Sequence, residues 1–368
     1  GNLQQAEKHY QNTIQGKPDH LEAHSNLGTV YKSLGKYDQA MQCYDEALRD
    51  NDELAEAHRN RALLRLLQGN YSEGWPEYEW RRRIPGIQRT TFSQPRWDGA
   101  AAAGSTVLLV AEQGLGDTLQ FVRYAPLVKQ RSGGTVLLHC PTALHRLLEG
   151  TAGVDRLLDG DVSESFDSYV PLMSLPEVFG TTLSTIPCEV PYVECAADRV
   201  AHWREALSEH PGLKVGIVWQ GNPEFRQDAQ RSIPLAEMAP LADCPDVTLV
   251  SLQKDHATGQ LADVPFGAKI VDLADKLDDF CETAAVMKNL DLVITCDSAP
   301  AHLAGALAVP VWVALPFSPN WRWLLARDDS PWYPTMRLFR QSQLGQWSDV
   351  VQRTARALSA LSSGGQAD

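Results

Sequence analysis

The sequence of 368 residues has no apolar run near the ~20 residues that span a bilayer, no excess of positive charge and no closely paired cysteines. Lysine and arginine number 33 against 46 aspartates and glutamates, and this net charge of −13 argues against nucleic-acid binding. The seven scattered cysteines argue against a disulfide framework or a zinc site. With no signal-peptide pattern at the start, we expect a cytoplasmic protein without a transmembrane segment.

A period of 34 residues runs through the first 84 residues. Glycine and tyrosine recur at this spacing, at Gly1, Gly35 and Gly69 and at Tyr10, Tyr44 and Tyr78. Such a period resembles the tetratricopeptide repeat, in which each unit is a helix–turn–helix. One full repeat, over about 21–53, lies between two partial ones, and Gly1 falls in a turn. Because about three or more units are normally needed for stability, we expect further repeats upstream.

Stacked repeats form a concave surface that typically binds a protein or peptide, although these helices could instead only support the next domain. The last predicted helix, 72–83, contains Trp75, Tyr78 and Trp80. These aromatic residues are unusual on an exposed end helix, so we expect this helix to pack directly on the next domain of the chain.

Beyond residue 105, short apolar runs alternate with helical segments, which predicts parallel sheets covered on both faces. The predicted strands are 106–110, 135–139, 156–158, 169–170, 192–193, 215–219, 247–252, 269–273, 292–296 and 311–315. The fold class is therefore α/β with an all-α N-terminal part. The predicted domains are the repeats over 1–84, a linker over 85–105, two doubly wound domains over 106–210 and 211–338, and a C-terminal helix and tail over 339–368.

Ligands of such sheets bind at the carboxyl ends of strands, which draws attention to the turn after the first strand. Gly114 and Gly116 allow a tight turn and a close ligand approach, and Asp117 comes next, at the start of a helix. Asp117 is a candidate catalytic base and equally a candidate helix cap, and the two roles are compatible.

A second group of candidate residues lies directly after the strand at 292–296. Small residues here allow a bulky group near the backbone, and the N-terminus of the next helix favours an anion such as a diphosphate. His302, in the first turns of that helix, is placed to donate a hydrogen bond to the anion. The donor-binding candidates are Asp297, Ser298, Ala299, His302 and Leu303.

A third group lies in the polar loop after the strand at 215–219, where arginines suit bidentate phosphate contact. The candidates in this loop are Asn222, Arg226, Arg231 and Ser232. Gln253 and Lys254, after the strand at 247–252, are candidates for a phosphate or sugar-hydroxyl contact. A solvated loop with charges at its rim is the alternative interpretation.

The motifs GLGD at 114–117 and DSAPAHLA at 297–304 resemble the signature of glycosyltransferase family 9, the ADP-heptose heptosyltransferases. The segments 221–232 and 316–323 are similar to bacterial proteins that join tetratricopeptide repeats to such a domain. The resemblance implies a GT-B fold of two facing Rossmann-like domains, with the acceptor on the first and the donor on the second. It also implies an inverting reaction without a metal cofactor, with Asp117 as the general base. The family often has glycine where Ala299 stands, and its phosphate-binding lysine has no counterpart here, so Arg226 or Arg231 would replace it.

Together these features predict a glycosyltransferase that moves a sugar from a nucleotide-diphosphate donor to an acceptor, with the repeats holding a protein acceptor. Catalytic roles are predicted for Asp117 and His302. One alternative is a nucleotide-sugar epimerase or hydrolase, which shares the donor site but needs no protein acceptor. The other is a catalytically silent scaffold whose repeats bind proteins.

Overall fold

The computed structural model describes residues 2–49, 51–86 and 92–364. Gly1, residues 87–91 of the predicted linker and residues 365–368 of the predicted tail lie outside the described residues. By its internal contacts the chain divides into two compact units. The first unit comprises Gly1–Ser93, Ser174–Ile186 and Phe317–Arg327, and the second comprises Gln94–Met173, Pro187–Pro316 and Asp328–Asp368.

The repeat region of the first unit is a series of helices joined by short turns. These are α1 (Leu3–Gly16), α2 (Leu21–Ser33), α3 (Tyr37–Arg49), α4 (Ala55–Leu67) and α5 (Tyr71–Tyr78), with a 3₁₀ helix over Glu79–Arg83 at the end. Small residues set how closely they pack. A Cβ added at Gly28 would lie 2.6 Å from the Tyr44 ring, and one at Gly74 would lie 2.7 Å from Leu66. Glycine therefore allows the close helix approach that the repeat period predicts.

The last repeat helix is shorter than predicted, because the α-helix ends at Tyr78 and the chain continues as the 3₁₀ turn. Its Trp75 packs inside the first unit on a segment from later in the chain, whereas Trp80 stacks on the earlier His58. The rings of Trp75 and Trp321 lie 5.1 Å apart in an edge-to-face arrangement. Arg81, which is fully buried, donates to Ser174 Oγ at 2.8 Å. The helical unit is thus completed by residues about a hundred positions or more later in the chain.

The first half of the second unit contains a four-stranded parallel sheet in the order β3-β2-β1-β4. Its strands are β1 (Thr106–Val110), β2 (Thr135–His139), β3 (Arg156–Leu158) and β4 (Ser168–Pro171). The helices of this stretch are α6 (Leu115–Phe121), α7 (Ala125–Ser132), α8 (His145–Leu148), α9 (Leu175–Val178) and α10 (Ala197–Ala206), of which α9 belongs to the first unit. Short 3₁₀ helices cover Val122–Tyr124, Thr142–Leu144 and Leu172–Ser174.

The other half contains a six-stranded parallel sheet in the order β10-β9-β8-β5-β6-β7. Its strands are β5 (Leu213–Val218), β6 (Val247–Ser251), β7 (Val271–Asp272), β8 (Leu292–Cys296), β9 (Val311–Leu315) and β10 (Met336–Arg340). Its helices are α11 (Asp228–Arg231), α12 (Ala239–Ala242), α13 (Gln260–Asp263), α14 (Phe280–Met287), α15 (Ala299–Ala306) and α16 (Trp347–Ser362). The 3₁₀ helices lie at Leu235–Met238, Asp255–Ala257, Gly267–Lys269, Ala274–Lys276 and Trp321–Trp323.

Two differences from the predicted strands have local causes. Residues 192 and 193 do not form a strand, because their amides bond to the carbonyl of Ala306 at the end of α15. The strand β10, which was not predicted, contains Arg337 and Arg340 among its apolar residues and pairs with β9. The predicted boundary at residue 338 falls inside β10.

One face of the six-stranded sheet is covered by the C-terminal helix. Buried residues of β5 (Val215, Ile217) and the adjacent Trp219 share a core with Trp347 and Leu358 of α16. The helix predicted after residue 339 therefore completes this half. In the ranges described above, no helix is long and apolar enough to cross a membrane.

Candidate functional site

The glycine-rich turn after β1 leads directly into α6. Gly114 is the N-cap of that helix, and its N–H donates to Asp117 Oδ2 at 2.8 Å. Asp117 therefore caps the helix from its third position, a place where a carboxylate also interacts favourably with the helix dipole. The N-cap residue is thus Gly114 and not Asp117, although the Asp117 carboxylate does bond to the first turn of the helix. Accepting this bond is compatible with a role of Asp117 as base.

Gly116 is where α6 meets the start of α15. A Cβ at this position would lie 2.9 Å from His302 Cδ2 and 3.3 Å from the Cα of Ala299. Both distances are shorter than ordinary carbon contacts, so only glycine permits this approach. The structure thus brings Gly114, Gly116 and Asp117 together with Ala299 and His302, which lie in sequence motifs about 180 residues apart.

The start of α15 is built differently from that of α6. Ser298 is the N-cap, but its hydroxyl makes no capping bond and lies 3.4 Å from the carbonyl of Cys296. Pro300 occupies one of the first two positions, where a missing N–H costs nothing. The positive end of this helix therefore lacks a side-chain cap of its own. Free N–H groups at such an end form a site for an anion.

Asp297 and Leu303, both predicted to bind the donor, are largely enclosed. Leu303 is completely buried, so its side chain belongs to the core. Asp297 is 9% exposed, and its carbonyl oxygen accepts a hydrogen bond from Arg231 Nη1 at 2.7 Å. The preceding residue, Cys296, is fully buried, and burial raises the pKa of its thiol to about 12. This cysteine is a neutral thiol at neutral pH and not a nucleophile.

Arg231 connects the loop after β5 to the start of α15. Its Nε donates to Asp228 Oδ1 at 2.9 Å, and its guanidinium lies 4.7 Å from the centre of the Phe225 ring. Ser232 Oγ donates to the other oxygen of Asp228 at 2.8 Å. Sequence reasoning missed Asp228. Its spacing of three residues before Arg231 on one helical turn is the signal that would have identified this pair.

The other predicted residues of this loop lie apart from that pair. Asn222 Oδ1 accepts the N–H of Glu224 at 2.9 Å and so closes a local turn. Arg226 is exposed, and within the described ranges no side chain bonds to it. Of the two arginines proposed to replace a phosphate-binding lysine, the structure brings Arg231 to the helix start and leaves Arg226 in solvent.

Gln253 and Lys254 are engaged by the chain itself. Gln253 is buried, its Oε1 accepts the N–H groups of Trp219 and Gln220 at 3.1 and 3.0 Å, and its Nε2 donates to the carbonyl of Gln220. Lys254 Nζ donates to the carbonyls of Leu277 and Asp278. Both side chains fix loops at the carboxyl edge of the sheet.

His302 is 5% exposed, and its Nδ1 lies 2.9 Å from the hydroxyl of Tyr333. Tyr333 was not among the predicted site residues. It lies 31 positions from His302, and no local pattern connects the two. Among residues 2–49, 51–86 and 92–364, no group of three or more His, Cys, Asp or Glu side chains is arranged to hold a metal ion.

Two family models match the chain. Residues 21–49 match the tetratricopeptide repeat, and residues 236–315 match glycosyltransferase family 9 (heptosyltransferase). The second match contains β6, β8, β9 and the whole of α15, including the uncapped helix start.

One relative and two solved structures are similar to this chain. Protein FlbA of Caulobacter vibrioides is 28% identical over an alignment 372 residues long. The alignment covers 93% of this chain and 62% of FlbA. This chain thus spans less than two thirds of that relative. The structure of ADP-heptose LPS heptosyltransferase II from E. coli is 13% identical with a TM-score of 0.51, over 70% of this chain and 99% of that one. A family 9 glycosyl transferase from Veillonella parvula is 13% identical with a TM-score of 0.49, over 67% and 88%. The all-helical region is therefore joined to a parallel α/β fold of the GT-B heptosyltransferase type.

Proposed function

We propose that this chain transfers a sugar, with inversion, from a nucleotide-diphosphate donor to a hydroxyl acceptor. Its matches to a tetratricopeptide repeat and to glycosyltransferase family 9 support this proposal. The observation that carries the proposal is the meeting of two helix starts at Gly116. One start bears the Asp117 carboxylate, and the other is an uncapped positive helix end beside Arg231.

In the proposed reaction, Asp117 acts as the general base. The acceptor oxygen forms a bond to C1 of the sugar while its proton passes to the Asp117 carboxylate. The bond from C1 to the diphosphate oxygen breaks, and its electron pair leaves with the nucleoside diphosphate. Attack from the face opposite the leaving group inverts the anomeric carbon. General base catalysis of this kind contributes about 10²–10⁴ in rate.

The departing diphosphate is assigned to the start of α15. The donors assigned to the diphosphate are backbone N–H groups near Ser298 and Ala299, the His302 ring and Arg231. The bonds of Arg231 to Asp228 and Asp297 use two of the five N–H groups of its guanidinium, which leaves donors for a phosphate. Fixed donors of this kind are worth about 10²–10³ each in kcat. We propose that they suffice without a metal cofactor.

The acceptor and the compartment are also part of the proposal. Tetratricopeptide repeats typically bind proteins, which supports a protein acceptor held by the helical unit. The seven cysteines are all free thiols, and free thiols are typical of reducing compartments such as the cytoplasm.

The decisive experiment is a calorimetric titration of the full chain with ADP, UDP, GDP and TDP, each with and without a chelator. We expect one of them to bind, with the same affinity in both conditions. At a hundredfold excess over Kd, binding stabilises the fold by about 2.7 kcal/mol, which a thermal shift also detects. Arg231→Met is expected to weaken binding by about 10–100-fold. Arg226→Met, which removes a neighbouring exposed arginine, is the matched control.

Failure of all four nucleotides to bind would contradict the proposal and favour the scaffold alternative. The engagement of Gln253 and Lys254 by the chain's own backbone is the observation that favours that alternative. Rapid conversion of a sugar nucleotide in the absence of acceptor would instead indicate an epimerase or hydrolase. Loss of binding on adding the chelator would contradict metal independence alone.

A further inference from the structure

A tyrosine lies against α15 close to His302, and a glycine makes room for it. A Cβ added at Gly305 would lie 2.3 Å from Tyr333 Cδ1, which is far inside the contact distance of two carbon atoms. Because residue 305 has no side chain, the fully buried Tyr333 ring rests on the helix. Its hydroxyl lies 2.9 Å from His302 Nδ1, three residues before Gly305 on the same helix.

Arg123 places a buried positive charge on the same ring. Its guanidinium lies 4.5 Å from the centre of the Tyr333 ring and 4.6 Å from that of Tyr192. It donates to the carbonyl of Trp332 at 2.7 Å and to the hydroxyl of Tyr192 at 2.8 Å. Burial alone would lower the pKa of Arg123, but Tyr192 and Tyr333 keep it above its usual value. A fixed cation on a phenol ring makes the hydroxyl a better hydrogen-bond donor and a poorer acceptor.

The orientation of the His302 ring is fixed at two atoms. Nδ1 faces the Tyr333 hydroxyl, and Cδ2 lies 2.9 Å from the position of a Cβ on Gly116. Nε2 is bonded to Cδ2. The side of the imidazole opposite Tyr333 is therefore the side turned towards the start of α6.

We propose that Tyr333 is a positioning residue that donates its hydroxyl proton to His302 Nδ1 and thereby fixes the neutral tautomer of His302 with its proton on Nε2. Arg123 keeps the hydroxyl in this donor role. Only one neutral tautomer accepts a hydrogen bond at Nδ1, and it carries an N–H on the other ring nitrogen. An N–H at the meeting of the two helix starts suits an anionic ligand, whereas a lone pair there would repel it.

The tautomer is measured by long-range ¹H–¹⁵N NMR of the full chain labelled at the histidine ring nitrogens. The His302 signals are assigned by their loss in His302→Gln. We expect a protonated Nε2 and an unprotonated, hydrogen-bonded Nδ1 in the unmodified protein. In Tyr333→Phe, which keeps the ring and removes the hydroxyl, we expect a mixture of tautomers. Gly305→Ala, which displaces the ring, should give the same mixture.

Tyr192→Phe is the matched control, because it also removes a hydroxyl that contacts Arg123 but does not contact His302. We expect it to leave the His302 tautomer unchanged. A protonated Nδ1 in the unmodified protein would overturn the proposal, whether or not any variant folds. A single Nε2–H tautomer that persists in Tyr333→Phe would overturn the role of Tyr333.

The ligand side of this inference rests on the proposed function. If a nucleoside diphosphate binds, Tyr333→Phe should weaken it severalfold while Tyr192→Phe does not. If no nucleotide binds the unmodified protein, the proposed function fails while the NMR measurement still decides the tautomer. If a nucleotide binds and Tyr333→Phe leaves its affinity unchanged, the link between tautomer and ligand is wrong.

Discussion

Two helices of the α/β unit begin directly after parallel strands and meet at one glycine, yet their first turns are different. The helix α6 is capped by its own carboxylate, since Asp117 accepts the N–H of Gly114. The helix α15 has a serine at the N-cap whose hydroxyl turns back to the preceding strand. The carboxylate of the first start bonds to the backbone of its own helix turn, whereas the N-cap side chain of the second start does not. In the proposed function, this difference separates the base from the anion site.

The largest expected effect comes from removing the charge of the first start. Asp117→Asn keeps an oxygen that can accept the Gly114 N–H, so the fold should be retained, but it removes the proposed base. We expect kcat for sugar transfer to fall by about 10²–10⁴, with nucleotide affinity changed little. Initial rates and calorimetry on the same preparation test this. Transfer within severalfold of the unmodified protein would contradict the assignment of the base.

The second prediction concerns a variant that makes the starts of α6 and α15 alike. Ser298→Asp places a carboxylate at the N-cap of α15, where it would cap the helix and repel a diphosphate. Two like charges about 4 Å apart interact by about 1–4 kcal/mol in an environment between water and a protein surface. We therefore expect nucleotide affinity to fall about tenfold or more, measured by calorimetry. Ser298→Asn caps without charge and is the control, and equal losses in both variants would argue against an anion site.

The contact between the starts of α6 and α15 is tested by adding a single methyl group, for which we expect a smaller effect. Gly116→Ala introduces a Cβ 2.9 Å from His302 and 3.3 Å from the backbone of Ala299. Overpacking of this kind destabilises by about 1–3 kcal/mol, and we expect both the free energy of unfolding and nucleotide affinity to fall. Gly114→Ala is the control, because its Cβ would meet only the Asp117 carboxylate at 3.3 Å. Urea unfolding curves that do not distinguish the variants would contradict the close approach.

The start of a third helix, α14, is bonded to side chains of the chain itself. Substitutions there should affect only stability. Asp279 caps it by accepting the N–H of Glu282, and the Glu282 carboxylate accepts bonds from Arg199 at 2.7 Å and Trp203 at 2.8 Å. Arg146 adds a weaker contact at 3.5 Å. Glu282→Gln should cost about 1–2 kcal/mol, because the arginines are partly exposed. Nucleotide affinity should not change.

The loss of stability in Glu282→Gln should depend on pH in a definite direction. Burial would raise the pKa of Glu282, but the bonds from Arg199 and Trp203 lower it below its ordinary value of 4.5. The carboxylate therefore contributes its full stabilisation above pH 4.5 and loses it as the pH falls through the lowered pKa. Unfolding measured from pH 7 down to pH 3 should show the gap between Glu282→Gln and the unmodified protein closing. A gap that is constant with pH would contradict a stabilising charge.

The sequence predicts those parts of the structure that are encoded locally. The strands β1, β2, β8 and β9 are uninterrupted apolar runs, and the structure places them where the runs lie. The strand β10 was missed because arginines interrupt it, and its pairing with β9 supplies the order that its own pattern lacks. The helix starts were predictable because glycine, aspartate and proline mark them at fixed positions.

The side chains that orient the site were not predictable, because they come from distant positions. Tyr333 reaches His302 from 31 residues away, and one of the carbonyls that accept from Arg123, that of Trp332, is 209 residues away. Arg231 was predicted to grip phosphate, but the sequence does not reveal that Asp228 and the carbonyl of Asp297 hold it in place. Such contacts depend on how distant segments of the chain pack together, which no local pattern specifies.

The discontinuous helical unit has a consequence for synthesis. Its first helices are complete by residue 86, but the segment Phe317–Arg327, which carries Trp321 against Trp75, is translated much later. At about 5–20 residues per second, the roughly 240 intervening residues take roughly 12 to 48 seconds to emerge from the ribosome. During that interval the Trp75 ring lacks its contact with Trp321, so this aromatic surface is exposed to chaperones on the nascent chain.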